Sequence, residues 1–379
     1  MKRLAFFTLL LAAFSCGSKD SKESTSSNVL ENLSFTVDTI LVNSGEELVD
    51  LSGGMSLADL SNDHRLLYLM GQKNKMLYIF DLEQKKLVEG VQFEIEGPNG
   101  VGEYPSSFQV FEGERFLISD YRSSLLFDKT AKRIGEFKIA KDSIEGLETT
   151  DEMSLLHHVN LSPDEKWLFS LPGNFFEGSR DLLVYEVSKS SGKQLDIPAM
   201  DLAGDFRVVL QSKDMMMISI EDVNFSWANN RLFVYSNATS DIYSYDYDQD
   251  SLLLYTFQHT LVAPKKTGNI QHTVETEAAF NAEMEKISTQ ITFGPMIWDP
   301  ASERYFRFGK IFVPKPELER KGDDKVYLFA YDKDLNLIGE TFLDELKKQP
   351  EKSFFKDGKL WSYVNVEDEL GFAVMDFKF

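Results

Sequence analysis

Few residues of this chain combine a reactive side chain with a neighbour that could use it. His157-His158 is the one pair of adjacent imidazoles. At the start of a strand such a pair could ligate a metal or, when protonated, hold an anion; the plainer reading packs one ring and solvates the other. Asp120-Tyr121-Arg122 sets an aromatic face beside opposite charges, which suits a sugar or a peptide and equally a surface ion pair. Arg307 stands inside the apolar stretch Tyr305-Phe306-Arg307-Phe308. A guanidinium buried there must be paired, so it is expected to meet a carboxylate and to anchor an acidic ligand.

Stronger catalytic patterns are missing. The sequence has no HExxH, no Walker loop and no GxSxG elbow, and its single cysteine makes no thiolate ligand set. The runs Asp246-Tyr247-Asp248-Gln249-Asp250 and Asp332-Lys333-Asp334-Leu335-Asn336 imitate the start of a calcium loop. Both lack the glycine at the sixth position, and their twelfth residues are Phe257 and Leu343 rather than Glu, so turn chemistry explains them better. No metal and no cofactor is expected, and a non-catalytic role is favoured over an enzyme.

Cys16 is the single cysteine of 379 residues. It follows Met1-Lys2-Arg3 and an apolar run from Leu4 to Phe14 broken only by Thr8, with small Ala13 and Ser15 just ahead of it. As a helix that run would span roughly 16 Å, against about 30 Å of bilayer hydrocarbon. It is therefore read as an export leader, residues 1–15. The junction resembles the lipobox of bacterial lipoproteins, which implies a lipid on Cys16. Gly17 is not the Asp that favours inner-membrane retention in the lipoproteins it resembles, which implies the outer membrane, on either side of it. Residues 16–31, rich in Ser, Lys and Glu, are expected to form a disordered tether. A net charge of −21 argues against nucleic acid as a partner.

From residue 32 to 379 no linker divides the chain, and that length exceeds the usual single core. A repeat is needed, and one is visible. Six polar corners join apolar strands: LSNDHRLLYL, VFEGERFLIS, LSPDEKWLFS, FSWANNRLFV, WDPASERYFRF and FKDGKLWSY. Each carries a basic residue just before its second apolar strand, in turn Arg65, Arg115, Lys166, Arg231, Arg304 and Lys359. The next strand of each unit closes on an acid, in turn Asp81, Asp128, Glu186, Asp246, Asp332 and Asp376. Four strands per unit with period-2 alternation predict an all-β, six-bladed β-propeller with four-stranded blades. The last unit is one strand short, and the early strand Leu33 to Val42 is expected to complete it and close the ring. Between them, Val274 to Ile291 has amphipathic helix spacing, a helical insertion that could cap one end of the tunnel.

In such a ring the loops between second and third strands and the connections between blades line the tunnel entrance. That places Glu103, Tyr104, Asp120, Tyr121, Arg122, His157, His158, Arg307 and Asn365 on one face as candidate binding residues.

GPNGVGEY at Gly97 to Tyr104 and ITFGPMIWDPASERYFRF at Ile291 to Phe308, with the lipobox and the corners, resemble the Bacteroidota lipoproteins grouped as domain of unknown function 4221, related to six-bladed, TolB-like propellers. The resemblance implies fold and export and carries no activity. The function expected is a membrane-anchored binding module for an envelope protein, peptide or glycan. The alternative is a metal- or carboxylate-dependent hydrolase, lactonase or lyase at the tunnel mouth.

Overall fold

The structure is a computed structural model that describes residues 28–147, 153–173, 178, 180–213, 215–315 and 322–379. The leader, Cys16 and most of the expected tether lie outside the described residues.

Each of the six corners is a hairpin turn, and its basic residue stands at the first position of the following strand or, for Arg65 and Lys166, immediately ahead of it. The residue ahead of the basic position has a left-handed backbone: His64, Glu114, Glu165, Asn230 and Glu303 at φ between 52° and 60°, and Gly358 at φ 72°. Short loops of this kind turn the chain with the twist that paired strands require. The strain of about 1 kcal/mol per non-glycine residue is offset by bonds within the turn. Asp63 accepts from the Arg65 N–H at 3.1 Å, Asp164 from Lys166 at 3.2 Å and Asp299 from Ala301 at 3.0 Å. Four of the closing acids, Asp81, Asp128, Asp246 and Asp332, do the same one turn later. Asp246 accepts from the N–H groups of Asp248 and Gln249, and Asp332 from those of Asp334 and Asn336. The calcium-like runs are thus turn caps.

These turns generate six antiparallel sheets of successive strands. The first comprises Ala58–Leu60, Leu66–Met70, Met76–Asp81 and Lys86–Gln92, and the second Ser107–Phe111, Arg115–Ser119, Ser124–Phe127 and Arg133–Phe137. The third runs Asn160–Leu161, Trp167–Ser170, Leu182–Glu186 and Ser191–Leu195, with Ile144–Glu145 added in parallel at its edge. The fourth is Val223–Ala228, Arg231–Ser236, Ile242–Asp246 and Ser251–Tyr255. The fifth is Thr292–Asp299, Arg304–Pro314, Gly322–Tyr331 and Leu337–Phe342. In the sixth, Glu351–Lys356, Lys359–Val366 and Glu369–Lys378 are joined by Ser34–Leu41, which pairs with the last strand from Ser34 opposite Lys378 to Leu41 opposite Gly371.

The middle strands do not alternate as expected. Leu66–Met70, Met76–Asp81 and Leu182–Glu186 are buried almost throughout, whereas outer strands such as Lys86–Gln92 are mostly accessible. The reason is packing on both faces of each sheet, which favours continuous apolar runs. Six hydrophobic clusters each join two sheets. Tyr68 meets Phe116 between the first and second, Leu117 meets Leu183 between the second and third, and Phe169 meets Tyr245 between the third and fourth. Phe233 meets Tyr305 between the fourth and fifth, and Phe306 meets Phe355 between the fifth and sixth. The remaining cluster sets Trp361 and Phe372 of the sixth against Leu69 and Phe80 of the first. Each such side chain contributes about 1.5–3 kcal/mol of burial.

Two departures from expectation stand out. Val208–Gln211, Met216–Ser219 and Thr273–Val274 form an additional three-stranded sheet, and the helix, Glu277–Ser288, packs Phe280 and Ile287 on it. The helix is capped by Thr276, whose hydroxyl accepts from the Ala279 N–H, and it covers this small sheet. The folded body also begins earlier than residue 32. Leu30 is fully buried, the Val29 N–H donates to Ile338 O at 3.0 Å, and Asn28 bonds both ways with the backbone of Glu340.

Candidate binding site

The first strands of the first, fourth, fifth and sixth sheets leave between them a cavity of about 710 Å³, within the range of small-molecule sites. Two of its walls are irregular. Pairing slips between Phe293 and Met296 in the fifth sheet and between Glu351 and Phe354 in the sixth. A bulge of this kind bends the strand and re-aims its side chains. In the fifth sheet it is built on Gly294-Pro295: a Cβ on Gly294 would come within 3.0 Å of Gln349 Nε2, and Pro295 has no N–H for the ladder. In the sixth it sets Lys352 in a left-handed backbone, φ 46°. All four bulge residues, Gly294, Pro295, Lys352 and Ser353, line the cavity.

Its polar groups are unevenly satisfied. Asp59 accepts from the N–H groups of Leu60 and Val110, both at 2.8 Å, yet burial pushes its carboxyl up to about 6. Asp222 is also raised by burial, against the pull of Arg180 and Lys352. Burial lowers the Lys352 ammonium, opposed by Glu351 and Asp222. Lys352 is reached by water and enclosed by protein at once, as a side chain in a cavity must be. Neither Asp222 nor Lys352 has a side-chain hydrogen bond or ion pair among the described residues. Three further wall atoms, Ser226 Oγ, Gln349 Oε1 and Ser353 Oγ, are shielded and lack a hydrogen-bond partner. Unmade bonds of this kind cost about 1–3 kcal/mol each.

None of the residues nominated from sequence lines this cavity. Arg307 is wholly buried, and it does not meet an entrance carboxylate. Its Nε donates to Gly294 O at 2.7 Å and Nη1 to Ser240 O at 2.5 Å, with Nη2 near Thr239 O at 3.4 Å and Ser236 O at 3.5 Å. Phe293 lies beneath its plane, 5.0 Å away. It is a clamp on backbone carbonyls and offers nothing to a ligand.

His157 and His158 meet edge to face, with ring centroids 4.1 Å apart. Burial, then the neighbouring His158 and Arg180, hold His157 down to about 3; burial and Arg180 hold His158 down to about 4. Both are neutral near pH 7, so they are not a ready anion site. Among the described residues no group of three His, Cys, Asp or Glu side chains is placed to hold a metal. Asp120 is a turn cap, accepting from the N–H groups of Arg122 and Ser123 at 2.7 Å, with the Arg122 guanidinium 4.8 Å over the Tyr121 ring. Tyr104 is 72% exposed and Tyr121 53%. Glu103 is exposed, as is Asn365, whose side chain caps the turn at Asp368.

The molecule is a propeller-like, mostly β protein with a cavity walled by both apolar and polar side chains. It belongs to the family of domain of unknown function 4221, whose model matches residues 26–342. A crystal structure of a member of that family from Bacteroides vulgatus is similar with a TM-score of 0.60 at 12% identity, over 91% of this chain and 98% of that one. A crystal structure of a protein named as exported from Bacteroides fragilis gives a TM-score of 0.50 at 10% identity, over 94% and 97%. An auxiliary nutrient binding protein from Bacteroides thetaiotaomicron gives 0.44 at 10% identity, over 91% and 77%. No curated protein matches the chain.

Proposed function

We propose that this chain is an exported binding module: a closed six-bladed propeller, lipid-anchored through Cys16 at the outer membrane, that takes a small ligand in its cavity. The observation carrying the binding reading is the cavity wall, where Asp222, Lys352 and the shielded oxygens of Ser226, Gln349 and Ser353 are gathered without hydrogen-bond partners among the described residues. Closure of the ring is supported by the sixth-to-first hydrophobic cluster and by Ser34–Leu41 completing the last sheet. Membrane attachment rests on the lipobox alone. Tyr104, Tyr121 and Arg122, with Glu103, Asp120 and Asn365, are the proposed outer contacts for a partner protein, peptide or glycan.

Incubated with a small-molecule extract of the envelope, the mature protein should show an added mass in native mass spectrometry that an Asp222→Asn, Lys352→Met double variant loses. An added mass kept by that variant, or none with any extract, would sink the cavity reading. Cys16→Ser should move the protein from the membrane to the soluble fraction; a variant still sedimenting with membranes would refute the anchor.

A further inference from the structure

We infer that the cavity is built for a neutral, hydroxyl-rich ligand, a saccharide unit, held between Asp222, just ahead of the fourth sheet, and Lys352 of the sixth. The inference rests on the binding reading above and gives that ligand a chemical class.

The charges on the wall exclude the simpler classes. An anion would face Asp59, Asp222 and Glu351. Of the two lysines opposing them, Lys310 already has Asp324 at 3.7 Å. A cation would meet Lys352. An apolar ligand would leave Ser226 Oγ, Gln349 Oε1 and Ser353 Oγ unbonded, each at the cost of a shielded polar atom. A hydroxyl has the complementary chemistry, because it donates to a carboxylate and accepts from an ammonium at the same time. Asp222 and Lys352 both line the cavity and make no ion pair with each other among the described residues, which leaves a carboxylate acceptor and an ammonium donor for the hydroxyls of one ligand.

The rest of the wall follows the same logic. Asn237 and Gln349 can each donate and accept, as the successive hydroxyls of a sugar do. Trp227 lines the cavity as a fixed apolar surface: its Nε1 donates to Asn160 Oδ1 at 3.1 Å, and Phe169 meets it edge-on at 6.0 Å. A C–H face of a sugar ring can rest on such a surface while its hydroxyls reach the polar side. The bulge at Lys352-Ser353 is what delivers the ammonium and a hydroxyl to the same wall, at the cost of a left-handed backbone.

The test is ligand-observed NMR and calorimetry on the mature protein with defined probes: glucose, galactose, N-acetylglucosamine and their β-linked disaccharides, with glutamate and glycylglycine as charged competitors. At least one neutral saccharide should bind saturably. Asp222→Asn and Lys352→Met should each weaken it by about tenfold or more, and Glu83→Gln, on a distant turn, should not. Should Lys352→Met fail to fold, Asn237→Ala supplies the same readout. Binding of glycylglycine or glutamate with the same sensitivity, and of no saccharide, overturns the saccharide class and leaves the cavity reading standing. Saccharide binding indifferent to both variants, or binding of no probe, overturns the inference, while the extract experiment decides the cavity reading separately.

Discussion

Two cations set on neighbouring sheets, Arg307 and Lys352, have opposite fates. Arg307 is fully buried and its guanidinium is used up on carbonyls from its own sheet and from the connection between Ser236 and Ser240. Lys352 lies on a bulge, open to a cavity, with no bonded partner among the described residues. Only Arg307 looks anomalous in sequence, a charge in an apolar strand; Lys352 follows the charged stretch ahead of Ser353-Phe354-Phe355 and is ordinary there. The difference teaches that a buried charge is not itself a functional signal. What matters is whether its bonds are already made.

The largest expected effect tests that contrast. Arg307→Met strands several buried carbonyls and should lower unfolding free energy by about 3–5 kcal/mol, read as a shift in the urea midpoint. Lys352→Met should stay within about 0.5 kcal/mol of the parent. Equal losses in the two variants would erase the distinction between clamp and ligand group.

A smaller effect concerns Asp59 and pH. Its folded value, about 6, lies above the ordinary 3.8, so between those values the folded state holds more proton than the unfolded one. The contribution is present at low pH and is lost as pH rises through about 6. Relative to Asp59→Asn, the parent should therefore lose stability between pH 4 and pH 7; parallel midpoints across that window would refute it.

At His157 and His158 no change is expected, and the readout is spectroscopic. Their folded values, about 3 and about 4, lie below the ordinary 6.5. Proton binding then favours the unfolded chain, and their contribution falls away as pH drops below 6.5. The ring resonances should not titrate between pH 7 and pH 5 by NMR. A midpoint near 6 would restore the pair as an anion site and blur its difference from the clamp.

Much of the fold was legible because its repeat is written in local chemistry. The corner residues Arg65, Arg115, Lys166, Arg231, Arg304 and Lys359 each stand at or just ahead of the first residue of a strand, and four of the acids that close the next strand, Asp81, Asp128, Asp246 and Asp332, cap turns through their own carboxylates. The helix over Glu277–Ser288 was legible from its spacing and from Thr276 as its cap. The sheet it packs on was not, since Thr273–Val274 joins a hairpin more than fifty residues earlier, a pairing no local pattern records. The cavity was missed for a related reason. Asp59, Asp222 and Lys352 are far apart in the chain and ordinary in type, and they share a site only because three first strands meet. The clearest local clue was Gly294-Pro295 inside an apolar strand, which marks a break in the ladder.

Asn28 and Val29 bond to the outer strand of the fifth sheet, Leu30 sits in the cluster shared by the fifth and sixth, and Ser34–Leu41 then completes the sixth. The chain therefore straps a seam before it enters it. Any pull from ahead of Asn28 must first shear the bonds at Ile338 and Glu340, and only then can it begin to peel Ser34–Leu41 from its partner. The strap is a strain relief: it takes mechanical load at one sheet and keeps it off the strand that completes the next.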